Sequence, residues 1–341
     1  MKSSFPCLLI VPSLLACLAG SRAAAAEASP SEPFKLIERA RAVTDIRAEG
    51  MPPFRLEGKI RIWVKKNLDT PAEGRYTLIW ASPDKWREEV RFADYNRVRI
   101  GDRNHYWQVR SQPMELRAMA ELDRTLDFPR NLQIRKGYKL EKLKEEKLNG
   151  EESACLKTYA EQRHVEKLCF DTTTGVLLYN EDLTDNSLAI VPQHDYSNFQ
   201  EWAGKRYSLL LRGRKDSRLL LEVQLEPIKP LAQADATLFA VPREATQWAH
   251  CQDSGTRIKN RVQPKFPPSA RTAGVQGTVS IYAVVEPNGK LSNLHLVQGV
   301  DPNLNRATLD AISQWTYEPA VCGGVPSRTE TFIDVIFSLQ R

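Results

Sequence analysis

The sequence predicts an α+β chain in two folded parts, a large antiparallel, sheet-rich N-terminal part and a small C-terminal unit. Three observations carry this reading. A length of 341 residues exceeds what one hydrophobic core usually fills, which favours two domains. From Phe54 onward, apolar and charged residues alternate in short runs divided by turn residues, the period of antiparallel strands with one wet face. Towards the C-terminus the order becomes a helical turn, two strands, a helix and a last strand. Composition is that of a globular chain, 42% hydrophobic and 26% charged, which excludes wholesale disorder.

The first residues read as an export signal. Lys2 precedes an apolar run from about Cys7 to Ala19, and small residues continue to Glu27. Ala24-Ala25-Ala26 supplies an A-x-A cleavage site, so residues 1–26 are expected to be removed on export. Pro12 interrupts the run, which is also shorter than the roughly 20 residues of a membrane span. Two alternatives stay open. Leu14–Cys17 has the form of a lipoprotein box, in which Cys17 would carry lipid, and an uncleaved N-terminus would anchor the chain.

The N-terminal part follows in order. Phe34, Leu36, Ile37, Ala40, Val43 and Ile46 recur at helical spacing across Pro33–Ala48. In the next run, Phe54, Leu56, Ile60, Ile62 and Val64 share one face of a strand, opposite Arg55, Glu57, Lys59 and Arg61. Further strands are expected at RYTLIWA, KWREEVRFA, NRVRI and HYWQVR, then a helix over Met114–Phe128. More strands run from KLEKLKEEKL to RLLLEVQLEPI, ending near Leu225. A hairpin centred on Gln162 would set Cys155 opposite Cys169, close enough for a disulfide. Such a bridge stabilises by roughly 3 kcal/mol in the chain-entropy model; two buried free thiols are the alternative. The same register opposes Lys157 to Lys167.

The opening helix, the strand FRLEGKIRIWV, the pair around IGDRNHYW, the hairpin Cys169–Tyr179 and the ending Ala234–Pro242 together resemble the LolA-like fold. The resemblance covers about residues 33–243. It implies an antiparallel incomplete β-barrel closed on one side by helices, around a cavity for an apolar or lipid ligand. Residues 244–258 lose the alternation and read as a linker.

Beyond it, Pro267-Pro268 leads into about one helical turn ending at Gly274. In Gly277–Pro287, Val279, Ile281, Ala283 and Val285 alternate with Thr278, Ser280, Tyr282 and Val284. Pro287-Asn288-Gly289 is turn chemistry, and KLSNLHLVQG returns as the partner strand. Asp301 and Pro302 sit at N-cap and first-turn positions, ahead of a stripe of Leu304, Ala307, Thr308, Ala311, Ile312 and Trp315. YEPAVCGGVP breaks that helix, and Thr329–Leu339 is the final strand.

This series, in this order, resembles the TonB C-terminal domain over residues 259–341. The resemblance implies a partner-binding module that meets an outer-membrane TonB-dependent transporter, or another envelope protein, by adding a strand to the edge of its sheet. Thr331, Ile333, Val335 and Phe337 are then the residues on or beside the partner-binding strand. TonB proper has an uncleaved membrane helix and a long Pro-rich spacer, where this sequence has a cleavable-looking leader and a folded domain. The TonB-like topology also brings Cys251 near Cys322, which makes that pair the second disulfide candidate, although four cysteines permit three pairings.

Catalytic chemistry finds no support. His105, His164, His194, His250 and His295 are scattered, and none stands in an H-E-x-x-H or G-x-S-x-G context. His194-Asp195 reads as a surface pair, and Glu88-Glu89 and Glu145-Glu146 as solvated faces. No cofactor, metal site or catalytic residue is expected. The net charge of +6, from 48 basic and 42 acidic residues, is mild and interspersed. The densest basic run, Leu209–Arg218, is short, so no nucleic-acid partner is expected. Two functions remain, a periplasmic TonB-like interaction protein and a LolA-like carrier that uses the C-terminal unit as a dock.

Overall fold

Helix α1 (Glu32–Thr44) forms where the apolar residues recur at helical spacing, and it buries Ile37 and Ala40. The computed structural model describes residues 32–341 apart from 64–69, 115, 130–131, 133–137, 149, 160–164, 185–190, 233–234, 250–255 and 340–341. Strand β1 (Phe54–Ile62) alternates as its sequence dictates, with Phe54, Leu56, Ile60 and Ile62 inward; Val64 lies outside the described residues. An antiparallel meander continues through β2 (Ala72–Ser82), β3 (Lys85–Phe92), β4 (Asn96–Gly101) and β5 (His105–Arg110). Helix α2 (Arg117–Asp127) starts later than Met114 and turns Met119 and Leu122 into the core.

The stretch expected as one strand from Lys139 divides into β6 (Lys139–Lys142) and β7 (Glu146–Leu148), both paired with β8 (Glu151–Tyr159). Strands β9 (Val165–Asp171), β10 (Leu177–Asp182), β11 (Gln193–Trp202), β12 (Lys205–Lys215) and β13 (Arg218–Leu225) follow in antiparallel order. β13 then returns to pair with β1. The short β14 (Lys229–Pro230) adds to the start of β1. Within the segment expected as a linker, β15 (Thr246–Ala249) pairs with β5.

The resulting sheet runs β15-β5-β4-β3-β2-β1-β13-β12-β11-β10-β9-β8-β6, and its two ends do not join. It is an open, curled sheet, consistent with an incomplete barrel. α1 packs on β12 and β6, and α2 on β12, so both helices cover the same inner face. Their apolar residues join those of the strands in one cluster that includes Phe54, Tyr76, Leu78, Leu122, Phe170 and Val223.

Two side-chain readings need correction here. Glu88 is not on a solvated face: it is buried and accepts from the fully buried Arg97 at 3.2 Å. Nor are His194 and Asp195 a surface pair, because successive strand residues point to opposite faces. His194 is buried, while Asp195 turns outward to Arg214 at 2.8 Å.

The C-terminal module has its own core. It comprises β16 (Arg257–Asn260), α3 (Pro268–Thr272), β17 (Gly277–Val285), β18 (Leu291–Gln298), α4 (Pro302–Ile312), β19 (Thr316–Glu318), β20 (Ala320–Cys322), β21 (Val325–Ser327) and β22 (Thr329–Phe337). Asp301 caps α4, its carboxylate accepting from the Asn303 and Leu304 amides at 2.9 and 3.2 Å. The segment expected only to break the helix instead forms β19, which pairs with β16, and the β20–β21 hairpin. The main sheet has the order β18-β17-β22. One face packs Val279, Ile281 and Val285 against Leu304 and Ile312 of α4.

Candidate docking edge, clasp and cavity

β22 is an edge strand. It pairs with β17 from Thr329↔Val285 to Phe337↔Gly277, and among the described residues no strand lies on its other side. The four residues singled out on it share one face. Ile333, Val335 and Phe337 are buried in the module's core, and Thr331 is half-buried. Their side chains fill the interior, so a partner adding to this edge would meet the main chain and whatever side chains flank it. Ile336, of the opposite parity, is the exposed apolar residue there, at 55%.

That opposite face carries a feature the sequence reading missed. Tyr282 and Val284 of β17 pack with Trp248 of β15, and Tyr106, Met114 and Phe332 lie against them. Polar contacts ring this small cluster. Arg110 of β5 donates to Glu330 at 2.5 Å and to the Tyr282 hydroxyl at 2.9 Å, and that hydroxyl donates to Glu330 at 2.5 Å. Arg117, in the first turn of α2, donates to both carboxylate oxygens of Asp334 at 2.6 Å. Ser280 donates to the same carboxylate, and the Arg117 guanidinium lies 5.6 Å from the centre of the Phe332 ring. Burial, followed by the Glu330 charge, pushes the Tyr282 hydroxyl pKa up, which keeps it a neutral donor. The outer face of the C-terminal sheet is therefore clasped by β5, β15 and α2. The available signal was in β17, where Tyr282 and Val284 place bulky apolar groups on the face opposite Val279, Ile281, Ala283 and Val285.

The N-terminal module also holds a cavity of about 80 Å³. Apolar side chains dominate its lining, among them Ile46, Leu56, Leu126, Leu177, Phe199 and Leu211. One end is polar. Arg47 lies 3.3 Å from Asp127 and donates to the Tyr76 hydroxyl at 3.1 Å. Burial alone would lower the pKa of Arg47, but Tyr76, Asp127 and Glu88 hold it above its ordinary value. The volume is well below the roughly 300–1,000 Å³ of small-molecule sites. A second, more polar crevice of about 450 Å³ opens between the modules beside Gln108, Trp248 and Arg328.

Cys155 and Cys169 stand opposite each other on β8 and β9 and form a disulfide. Lys157 faces Lys167 in the same ladder, and Lys167 is relieved by Glu146 at 2.5 Å. The Glu146 carboxylate lies within 4.8 Å of both sulfurs; as a disulfide, these offer no thiolate to a metal. Cys322 is disulfide-bonded, and Cys251 lies outside the described residues, as do His164 and His250. His105 is partly exposed beside Asp102 at 3.7 Å, and His295 pairs with Asn293 at 2.7 Å.

Comparison with known proteins bears on the C-terminal module first. Residues 262–339 match the family model of the Gram-negative bacterial TonB protein C-terminal. Protein TonB of Xanthomonas campestris pv. campestris is 33% identical over 83 residues, 24% of this chain and 37% of that protein. Protein TonB of Vibrio cholerae is 29% identical over 89 residues, 26% of this chain and 36% of its own length. The match thus spans little more than a third of these relatives. The larger module is similar to solved structures at low identity. A LolA superfamily protein from Nitrosomonas europaea is 11% identical, with 62% of this chain and 98% of that chain covered at a TM-score of 0.39. A DUF1329 family protein from Desulfovibrio piger matches with the same identity and coverage at a TM-score of 0.43. Among the described residues no helix is long and apolar enough to cross a membrane.

Proposed function

We propose that the chain is a periplasmic, non-enzymatic interaction protein of envelope transport, which docks a partner by β-strand addition to β22. The observation that carries this is the TonB-type module with β22 at the edge of its sheet. An unpaired edge offers a row of main-chain donors and acceptors, and an extended peptide satisfies them while flanking side chains select it. Thr331, Ile333, Val335 and Phe337 then hold the strand in place from the core side, and Ile336 flanks the incoming peptide. The partner of matching chemistry is a short extended segment on the periplasmic face of an outer-membrane transporter. Photo-crosslinkers placed at Ile336 on β22 and at Leu296, an exposed residue on the other edge strand, test this in cells. Crosslinks to outer-membrane transporters identified by mass spectrometry are expected from Ile336 only. Equal yields from both edges, or none from Ile336, would overturn strand addition at β22.

The apolar cavity under α1 and α2 favours a second reading, a carrier for an apolar ligand that uses the C-terminal module as its dock. At about 80 Å³ the cavity would have to open to take one. Lipids extracted with the purified protein and identified by mass spectrometry would support this reading.

A further inference from the structure

Helix α2 touches both candidate sites. Its first residue, Arg117, is the bidentate partner of Asp334 on the docking strand. Its last turn, with Leu126 and Asp127, walls the cavity. Eleven residues at about 1.5 Å each make a rod of roughly 16 Å, too short to bend without a break in its ladder.

The walls of the cavity are not equally fixed. Leu56 and Leu211 stand on strands held by continuous ladders in β1 and β12. The α2 wall is held by side chains: Asp127 to Arg47 at 3.3 Å, the Tyr196 hydroxyl to the Thr125 carbonyl at 3.4 Å, and Asp123 to Arg97 and Arg99 at 2.5 and 2.8 Å. The first two contacts are long and the last two are near optimal. The walls outside the strand ladders, the end of α2 and the stretch 44–47 that meets it through Asp127, are therefore the ones that yield when the cavity enlarges. Displacement of the rod moves Arg117 as well, and a two-pronged guanidinium–carboxylate contact at 2.6 Å tolerates little of it.

We propose that α2 couples the cavity to the docking strand: the Arg117–Asp334 clasp holds the cavity closed, and a ligand that opens the cavity loosens the clasp on β22. Coupling of this kind is reciprocal, so a partner that draws β22 away from Arg117 favours the open cavity. The ligand class that fits is an amphiphile, its tail among the leucines and its polar head beside Arg47 and Tyr76. That assignment rests on the carrier reading, whereas the mechanical link does not.

Hydrogen exchange and probe binding on the full mature chain separate the two. Arg117→Gln and Asp334→Asn are each expected to speed amide exchange at Leu126 and Asp127 about five-fold or more, the lower range of allosteric coupling. They are expected to raise affinity for the fluorescent apolar probe N-phenylnaphthylamine by a similar factor. The reversed pair, Arg117→Asp with Asp334→Arg, should return both values towards wild type, which distinguishes a clasp from general loosening. Ser292→Ala, which removes a hydrogen bond to Glu286 within the C-terminal module, should change neither. Faster exchange confined to β22 and the first turn of α2, with Leu126 and Asp127 unchanged, would overturn the coupling. Coupled exchange with no probe bound by any variant would instead remove the amphiphile and leave the mechanical link standing.

Discussion

His194 on β11 is a buried imidazole with one weak contact. Its Nδ1 lies 3.4 Å from the Asn180 amide nitrogen, and its Nε2 has no hydrogen-bond partner among the described residues. Burial, with Arg124 nearby adding to it, pushes the ring pKa from 6.5 down to about 3. Between those two values the unfolded chain binds a proton at this position and the folded chain does not. Stability therefore falls as pH drops through that window, by at most about 1.4 kcal/mol per pH unit from this group. Asp123 works in the same direction. Burial would raise its pKa, but Arg97 and Arg99 hold it low, so its stabilisation is lost as acid protonates it. A comparison of slopes isolates the histidine: His194→Gln should lose less stability than wild type between pH 7 and pH 4, measured as urea midpoints. Parallel slopes would show that His194 is not the source. Neither the histidine nor the Glu88–Arg97–Asp123 cluster was legible in the sequence. Glu88 and Arg97 belong to strands in which charged residues recur, and nothing local distinguishes an inward charge with a partner on α2 from an outward one.

At the scale of elements, the hairpin turn of the C-terminal module shows a glycine with two duties. Gly289 has φ +78°, and a Cβ there would meet the Tyr317 carbonyl oxygen at 2.1 Å. The close approach exists because Tyr317 donates its amide to the Gly289 carbonyl at 2.8 Å, which ties β19 to the β17–β18 turn. Gly274 has a similar φ of +68° but open space around it. Gly274→Ala should therefore cost only the backbone strain, about 1–3 kcal/mol, and Gly289→Ala distinctly more, as read from thermal unfolding of the two variants. Equal losses would mean that the turn shifts freely from β19. Most elements were legible because their periodicity is local: β1 alternates, α4 carries its stripe behind the Asp301 cap, and Cys155 meets Cys169 across one hairpin. β17 was legible only in part. Its residues from Val279 to Val285 are buried at both parities, and such a run signals a strand covered on both faces. What covers the second face, Trp248 and the first turn of α2, is remote in sequence and could not be read from the strand alone. β19 and β20 went unseen because three-residue strands carry too little pattern.

On the scale of the whole molecule, two cores are joined through a smaller apolar cluster and the Arg110 and Arg117 clasps. The chain between the modules is held at both ends: β15 is stitched to β5 at the junction, and β16 pairs with β19 inside the C-terminal module. Cys251 belongs to the intervening segment, outside the described residues. Cys322 ends β20, close in sequence to the β22 strand that the clasp holds. Cys155 and Cys169 are bonded to each other and Cys322 is also disulfide-bonded, so if the leader is removed as expected, Cys251 is the cysteine left to pair with it. We expect a Cys251–Cys322 bridge. It would close a loop of about 70 residues and stabilise by roughly 4 kcal/mol in the chain-entropy model. Its larger effect would be geometric, because it would tether the connection from β15 to the hairpin beside the docking strand. Partner binding could then loosen the clasp without separating the modules. Non-reducing peptide mapping should recover the Cys251–Cys322 peptide, and limited proteolysis within 244–258 should leave a C-terminal fragment of roughly 80–90 residues, within the small-domain range. Reduction should speed that cleavage. Alkylation of Cys322 in unreduced protein would exclude the bridge, and a cleavage rate indifferent to reductant would show that the clasp, not the bridge, holds the connection.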